Sequence, residues 1–263
     1  MPRLIHLFIG AVNTHMNKLK LLDLFSGIGG FSLGLERTGG FETVAFCEID
    51  KYCQKVLKKH WVDVPMYDDI KELTNDRLKS QGIFPTVITG GFPCQDLSHA
   101  KAKSNSKGIG GERSGLVFEI IRLVREIRPE YFILENVSAL LAHREFSRLL
   151  GEFSQIGNYV VEWHCISASQ IGAPHRRDRV WIIGRNTDSN SKSVVSINDE
   201  AFRVQKDEGN FGKFWKNQPK FVRVVDGIST RLDRHRLEQL GNSLVPQIPE
   251  IIGNAILEHE KTD

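Results

Sequence analysis

Short apolar runs that end in glycine or acidic residues alternate along this chain with segments whose apolar residues have helical spacing. The segments with helical spacing are "FSLGLERTGG", residues 51–61 and residues 114–129. The apolar runs predict buried strands in "KLLDLF", "TVAFCEID", "PTVIT" and "YFILENV". Since strands that alternate with helices form parallel sheets covered by helices, the pattern predicts an α/β domain with a largely parallel sheet.

Two later runs depart from this alternation. Residues 159–167 ("YVVEWHCIS") and 179–184 ("RVWIIG") predict two more strands. The link between them, "ASQIGAPHRRD", is too short for a crossover helix, so we expect an antiparallel pair. Residues 185–220 are polar and lack periodicity, which is typical of a small irregular lobe or an insert. A closing amphipathic helix is predicted for "PEIIGNAILEHE".

Composition restricts the class of protein more than it restricts the partner. The 263 residues are 40% hydrophobic and 25% charged, which is ordinary for a globular protein with a sizeable core. A formal charge of +3 permits a nucleic-acid partner without requiring one. No run reaches the roughly 18 apolar residues of a membrane span. The four cysteines lack zinc-ligand spacing, so we expect reduced thiols in the cytoplasm, no metal and no membrane partner.

The N-terminus raises a question of targeting. "MPRLIHLFIGAV" has a basic start and a short apolar run, as in a signal peptide, but His6 interrupts the run and no clean cleavage site follows. A second methionine, Met16, opens the segment that leads into the first strand. We therefore expect residues 1–15 to be an upstream extension of little structural consequence.

A glycine-containing loop, "DLFSGIGG" (residues 23–30), follows the first predicted strand. Glycine allows the backbone to turn sharply and to approach a ligand at the carboxyl edge of a sheet, although many such turns carry glycine for packing alone. The spacing GxGG is not the dinucleotide pattern GxGxxG. An acidic residue about 20 residues beyond such a loop typically binds a ribose, and Glu48 lies slightly farther along the chain than that. Asp50 competes for the same role. Together these features predict an adenosine-containing ligand.

Cys94 follows a predicted strand and a Gly-Gly-Phe-Pro turn, so we expect its thiol at the same carboxyl edge. Most lone cysteines are small core residues, which is our expectation for Cys47, Cys53 and Cys165. A nucleophilic thiol instead needs exposure and a lowered pKa. The segment after Cys94, residues 98–113, predicts a basic lid rather than an ordinary solvated loop because it follows the thiol. Its basic residues are Lys101, Lys103, Lys107 and Arg113.

One carboxylic acid and two arginines complete the candidate chemistry. Glu135 directly follows four apolar residues, where an unpaired buried carboxylate would be costly, so a functional role is favoured. Arg177 and Arg179 are two residues apart at the mouth of a predicted strand, and therefore point to one face. Surface arginines are usually only solvated, but these two flank a site that already holds a thiol and a carboxylic acid.

Together these pieces resemble the DNA cytosine-5 methyltransferase family. "DLFSGIGG", "GGFPCQ", "ENV", "RRDRVWIIG" and "GNSLVPQ" stand in the family's order, and the resemblance runs from Leu19 to about Gly184 and resumes at Leu240. It implies a Rossmann-like fold that uses S-adenosylmethionine, a mixed seven-stranded sheet with a small target-recognition lobe. The implied divisions are an N-terminal extension (1–18), a catalytic domain (19–184), a reduced target-recognition region (185–239) and a C-terminal segment that completes the catalytic domain (240–263).

The resemblance also implies a reaction, methylation of cytosine C5 within a short sequence of double-stranded DNA. Cys94, as thiolate, would add to C6 of a cytosine flipped from the duplex. Glu135 would contact N3 of the base and Arg177 would contact O2, with Arg179 on the same face. The activated C5 would take the methyl group from S-adenosylmethionine, and loss of the C5 proton with β-elimination would release Cys94.

The same resemblance implies two sets of binding residues. The cofactor set is Phe25, Gly27, Gly29 and Gly30 in the loop, Glu48 at the ribose, Ile49, Asp69 and Ile70 at the adenine, Pro93 and Leu116 at the methionine side, and Asn242 and Ser243 from the C-terminal segment. The DNA set comprises Ser98, Lys101, Lys103, Lys107 and Arg113 of the basic lid, with Arg231 and Arg234 as phosphate contacts in the reduced region. Phosphate contacts do not reveal the target sequence.

Some points depart from the family or stay open. His175 stands where family members commonly have glutamine, which leaves its role open, and the small recognition region resembles phage and prophage members and predicts a short target. A transfer-RNA cytosine-5 methyltransferase with the same core remains an alternative. The intact Cys94, Glu135 and Arg177 disfavour an idle DNA-binding protein, and the GxGG spacing disfavours an NAD-dependent dehydrogenase. We expect a monomer; whether a cognate restriction endonuclease exists is left open.

Overall fold

The computed structural model describes residues 17–93, 114–188, 239 and 242–262, so the prediction for residues 1–15 lies outside them. Its strands are β1 Leu19–Leu24, β2 Phe41–Cys47, β3 Met66–Tyr67, β4 Val87–Gly91, β5 Tyr131–Val137, β6 Tyr159–Ser167 and β7 Asp178–Asn186. Its α-helices are α1 Gly30–Glu36, α2 Lys51–His60, α3 Asn75–Ser80, α4 Val117–Ile127, α5 Arg144–Ile156 and α6 Gln247–Thr262. Short 3-10 helices span Ile70–Glu72, Ser114–Leu116, Ser138–Ala142 and Ala168–Ile171.

The described strands form one seven-stranded sheet with the order β3-β2-β1-β4-β5-β7-β6. Strands β1 to β5 pair in parallel, whereas β7 is antiparallel to both β5 and β6. This mixed sheet confirms the predicted fold class, and the β6–β7 pairing confirms the interpretation of the short link. The link holds only a 3-10 turn that Ser167 caps, since so few residues cannot cross the sheet and return.

Helices cover both faces of the sheet. Because side chains alternate along a strand, Leu22 and Leu24 of β1 face one layer and Leu21 faces the other. The first layer contains α3, α4 and α5, and the second contains α1 and α6. Helices α1 and α6 approach closely at Gly34, where an added Cβ would lie 2.1 Å from the carbonyl oxygen of Pro246. The chain's last described helix thus packs directly on its first.

The thiols outside the candidate site do not all lie in the core. Cys47 and Cys53 are buried, and burial raises the pKa of each thiol to about 12, as expected of inert core cysteines. Cys165 is exposed, so the expectation that it is a core residue was wrong. It lies on β6, which ends the sheet, and burial at a sheet edge depends on strand order rather than on local sequence.

The parallel strands bring the candidate residues to one place. The carboxyl ends of β1, β2, β4 and β5 meet at one edge of the sheet, which is where ligands bind in folds of this type. Strand β7 begins at the same edge because it runs antiparallel to β5. None of the helices in the described ranges is long and apolar enough to cross a membrane.

Candidate active site

The loop between β1 and α1 is held in an unusual backbone conformation. Phe25, Gly27 and Gly29 have positive φ angles of 51°, 54° and 87°. At Gly29 an added Cβ would lie 2.7 Å from the Trp61 ring, whereas at Gly27 it would meet nothing within 4 Å. Gly29 is therefore required both by packing and by conformation, whereas Gly27 borders open space.

Glu48 is fastened to this loop from the next strand. Its Oε2 accepts a hydrogen bond from the Gly27 amide (2.7 Å), and its Oε1 accepts one from the Asp50 amide (2.8 Å). Burial raises the pKa of the Glu48 carboxyl, although both amides favour its ionised form. Asp50, the competing acid, instead caps helix α2 by accepting from the amides of Tyr52 and Cys53. The carboxylate beside the loop is thus that of Glu48.

An apolar surface adjoins Glu48. The Ile49 side chain is 70% exposed, whereas Ile70 is buried at the start of a 3-10 helix that Asp69 caps. These residues follow adjacent strand ends, because Cys47 pairs with Tyr67 across β2 and β3. The Arg122 guanidinium donates to the carbonyl oxygen of Ile70 at 2.9 Å and so fixes this segment.

Glu135 lies between β4 and β7 at the same edge. Its Oε1 is 2.8 Å from the Nε of Arg179, and a Cβ added to Gly91 would lie 3.2 Å from its Oε2. Burial raises the pKa of this carboxyl, while Arg179 first and Arg177 second act in the opposite direction without cancelling that rise. The arrangement suits a carboxylic acid that holds a proton and then donates it.

The two arginines have different partners. Arg179 forms the ion pair with Glu135, whereas an Nη of Arg177 donates to the carbonyl oxygen of Asn242 at 3.2 Å. Burial and the neighbouring Arg179 lower the pKa of Arg177. Both arginines act electrostatically on Glu135.

Asn136, the neighbour of Glu135, faces the opposite side of β5 and is buried. Its amide nitrogen donates to the carbonyl oxygen of Phe92 at 3.2 Å. Phe92 precedes Pro93, which is partly buried and is the last described residue before Cys94. Asn136 therefore anchors the turn that leads to Cys94, a role the sequence analysis missed because a "GFP" turn shows no partner in sequence.

Residues near the C-terminus close the other side of the loop. Leu244 packs against Gly30, where an added Cβ would lie 2.9 Å from the leucine side chain. The Gln239 side chain accepts from the Cys53 thiol (3.1 Å) and donates to Asp50 Oδ2 (3.4 Å). Asn242 and Ser243 follow, and the Ser243 hydroxyl donates to the Leu244 carbonyl oxygen. Nothing in sequence signals Gln239, because its partners lie far away along the chain.

Two further residues brace the loop from within the protein. Asp23, fully buried at the end of β1, accepts hydrogen bonds from the hydroxyls of Ser32 (2.8 Å) and Thr89 (2.9 Å). Trp61, which contacts Gly29, donates from its indole nitrogen to Glu36 at 2.9 Å. Asp23 could have been singled out from the sequence, because it is an aspartate at an inward position of an apolar strand. Trp61 could not.

Several predicted residues lie outside the described ranges. These are Cys94, Ser98, Lys101, Lys103, Lys107, Arg113, Arg231 and Arg234. Leu116 ends a 3-10 helix and packs partly buried against the core, and His175 is exposed. Across the described part of the chain, no group of His, Cys, Asp and Glu side chains is arranged to hold a metal ion.

Comparisons with known proteins identify the family of this chain. Residues 19–236 match the family model for "C-5 cytosine-specific DNA methylase". The Type II methyltransferase M.DsaV of Dactylococcopsis salina is 34% identical over 181 residues, which cover 68% of this chain and 48% of that protein. The orphan methyltransferase M.SPRI of Bacillus phage SPR is 34% identical over 179 residues, 66% of this chain and 39% of that protein. This chain thus spans half or less of the length of these relatives.

A solved structure extends the comparison. A protein encoded within an E. coli prophage, assigned as a DNA modification methyltransferase, is 26% identical with a TM-score of 0.57, covering 67% of this chain and 49% of that one. The matched residues 19–236 include the glycine loop, Glu48, the Glu135–Arg179 pair and the "GGFPCQ" segment. By the match over most of its length, the chain belongs to the C-5 cytosine-specific DNA methylase family.

Proposed function

We propose that the chain transfers a methyl group from S-adenosylmethionine to C5 of cytosine within a short sequence of double-stranded DNA. The observation that carries this proposal is Glu135, whose side chain is only 12% exposed, paired with Arg179 and set against Gly91 on the strand that leads to Cys94. A protonatable acid and a thiol at one sheet edge are what activation of the cytosine ring requires.

The thiol and the acid divide the work on the base. The Cys94 thiolate forms a bond to C6, and the electron pair of the C5–C6 double bond becomes available at C5 while Glu135 donates a proton to N3. After C5 is methylated, a proton acceptor such as water removes the C5 proton, the S–C6 bond breaks, the double bond is restored and N3 returns its proton to Glu135. Since Cys94 lies outside the described residues, its part rests on the "GGFPCQ" resemblance.

Arg179 and Arg177 have separate tasks in this proposal. Arg179 orients the Glu135 carboxyl through the 2.8 Å ion pair and limits how far burial raises the carboxyl's pKa. Arg177, close enough to act on Glu135 but bonded to the Asn242 carbonyl, contacts O2 of the base. A fixed guanidinium there also opposes the loss of the base into solvent.

The residues around the glycine loop fit the cofactor. When bound, S-adenosylmethionine supplies an electrophilic methyl group on a sulfonium. Each Glu48 oxygen already accepts one amide hydrogen bond and retains a lone pair for a ribose hydroxyl. The exposed Ile49 beside Ile70 offers an apolar surface for a flat ring, and the open space at Gly27 leaves room for close approach. Asn242 and Ser243 close the site from the C-terminal side.

The DNA contacts and the division of the chain remain sequence-based proposals. The basic lid and Arg231 and Arg234 of the reduced region would contact phosphates, which position the duplex without specifying sequence. Residues 185–239, as a small recognition region, would read a short target. The monomeric state is likewise a proposal.

Methyl transfer from labelled S-adenosylmethionine to unmodified duplex DNA tests the function, with bisulfite sequencing of the product and Cys94→Ser as the matched variant. We expect methylcytosine at one short recurrent motif, absent with the variant. Cofactor binding without transfer to DNA would contradict the proposal. Transfer RNA run in parallel identifies the RNA enzyme if it alone is methylated.

A further inference from the structure

Asp23 is a carboxylate sealed beneath the glycine loop. Its side chain is 0% exposed and lies on the sheet face covered by α1. The Ser32 hydroxyl donates to Oδ2 at 2.8 Å, and the Thr89 hydroxyl donates to Oδ1 at 2.9 Å. Thr89 is its register neighbour on β4. The carboxylate therefore connects the start of α1 with the strand that leads to Cys94.

No positive charge balances this carboxylate within the described part of the chain. Its hydrogen-bond donors there are the hydroxyls of Ser32 and Thr89 and the Ser32 amide, all of them neutral, and no Lys, Arg or His is among the largest influences on its ionisation. Burial raises the pKa of Asp23 to about 7, the hydroxyls act in the opposite direction, and the like charge of Glu48 adds to the rise. A buried charge without a counter-charge is costly, and a cation that arrives nearby relieves that cost.

A cation bound at the glycine loop would be attracted electrostatically by the Asp23 carboxylate. The Asp23 carbonyl oxygen accepts the Ser26 hydroxyl at 2.6 Å, which folds the loop over the end of β1. Glu48, the other acid that acts on Asp23, is bonded to the Gly27 amide. Two carboxylates thus flank residues 25–30, one from beneath and one from the side.

We infer that the buried Asp23 carboxylate makes this site prefer the cationic sulfonium of S-adenosylmethionine over the neutral thioether of S-adenosylhomocysteine that remains after transfer. The inference rests on the proposed function. Both Asp23 oxygens are engaged by hydroxyls, so Asp23 acts through its field rather than by contact and is a specificity-determining positioning residue. The two ligands share amino and carboxyl groups and differ by one methyl group and one positive charge, so their affinity ratio isolates this effect.

Isothermal titration of the full chain with each ligand separately, at about pH 8 where Asp23 is largely ionised, tests the inference. We expect Asp23→Asn to reduce the preference for S-adenosylmethionine roughly tenfold, the effect of one charge at a separation of about 12 Å and an effective dielectric constant of about 20. Ser26→Ala is the matched control, since it removes the hydroxyl bonded to the Asp23 carbonyl oxygen and leaves the carboxyl with both of its hydroxyl donors. It should weaken both ligands alike and leave their ratio unchanged.

The outcomes separate this inference from the proposed function. An unchanged ratio in Asp23→Asn, with both ligands bound by the wild type, overturns the inference alone. If neither ligand binds the wild type, the proposed function fails.

If Asp23→Asn does not fold, the wild type provides the test. The number of protons released on ligand binding is measured near pH 7 by calorimetry in two buffers of different ionisation enthalpy. S-adenosylmethionine must release more protons than S-adenosylhomocysteine, and equal release overturns the inference. Glu48 is the other buried carboxyl at this loop. The same measurement on Glu48→Gln shows how much of the proton release comes from Glu48.

Discussion

The two halves of the sheet edge bury the same functional group in opposite electrostatic surroundings. On the β1–β2 side, Asp23 and Glu48 are held by neutral hydroxyls and backbone amides. On the β4–β5–β7 side, Glu135 is held by Arg179 with Arg177 nearby. All three carboxyls have raised pKa values because burial dominates in each case.

Because of this difference, the two halves of the sheet edge suit ligands of different charge. Two acids without cationic partners favour a positively charged ligand, as the sulfonium of the proposed cofactor would be. An acid between two arginines, in contrast, can hold or release a proton while the arginines keep a net positive charge that favours the DNA backbone. One sheet edge would therefore accommodate both the cationic methyl donor and the polyanionic DNA of the proposed function.

The largest expected effect tests the arginine-lined half. Glu135→Gln keeps the shape but removes the transferable proton, so we expect kcat to fall by about 10²- to 10⁴-fold, the usual size of a general-acid contribution. The Kd for S-adenosylmethionine should change by less than about twofold, because Glu135 contacts Arg179 and Gly91 on the other half of the edge. Single-turnover methyl transfer and titration calorimetry measure the two quantities. A parallel loss of catalytic rate and cofactor affinity would show that the two halves do not have separate roles.

A second prediction uses the pH dependence of stability. Asp23 has a folded pKa of about 7 against an ordinary value of 3.8, so its contribution to stability is full below about pH 4 and is lost as pH rises towards 7. The shift corresponds to about 4 kcal/mol. Asp23→Asn should unfold in urea with a free energy that falls less between pH 4 and 7 than that of the wild type.

Comparing slopes cancels the contributions of Glu48 and Glu135, which both proteins share. Identical slopes would show that Asp23 keeps an ordinary pKa and that the two halves differ less than we propose.

Glu48→Gln should have the opposite pattern to Glu135→Gln, with weaker cofactor binding and a nearly unchanged kcat. Loss of charge-assisted hydrogen bonds, each worth about 1.5–3 kcal/mol, should weaken S-adenosylmethionine binding about 10- to 100-fold. At saturating cofactor, kcat should remain within about threefold of the wild type. Steady-state kinetics with varied cofactor make the measurement, and a kcat loss as large as that of Glu135→Gln would speak against separate halves.

The smallest effect concerns Gln239, the last residue of the predicted recognition region. Gln239→Ala removes the bonds to Cys53 and Asp50 and should cost about 1 kcal/mol of folding free energy. We expect KM for the cofactor to rise about threefold with kcat unchanged, since these contacts lie on the loop half. Asn254→Ala, at an exposed position of α6, is the control and should alter neither quantity.

Local pattern made much of the fold predictable. Strands β5 and β6 begin and end at the predicted residues, because apolar runs bounded by polar residues fix strands locally. Strand β3 has two residues and no periodicity to read. Glu135 could be singled out from sequence because a charge directly after four apolar residues conflicts with burial, and burial is what the strand pattern predicts.

By itself, then, the sequence determined the alternation of elements, the antiparallel last pair, the family and the residues that gather at the sheet edge. Only the tertiary structure decided that Glu135 pairs with Arg179, that Asp50 caps a helix and leaves Glu48 for the loop, and that Cys165 is exposed. It alone placed Gln239 against Cys53. Periodicity reports neighbours within a few residues, whereas ion pairs and burial depend on strand order, register and the packing of distant segments.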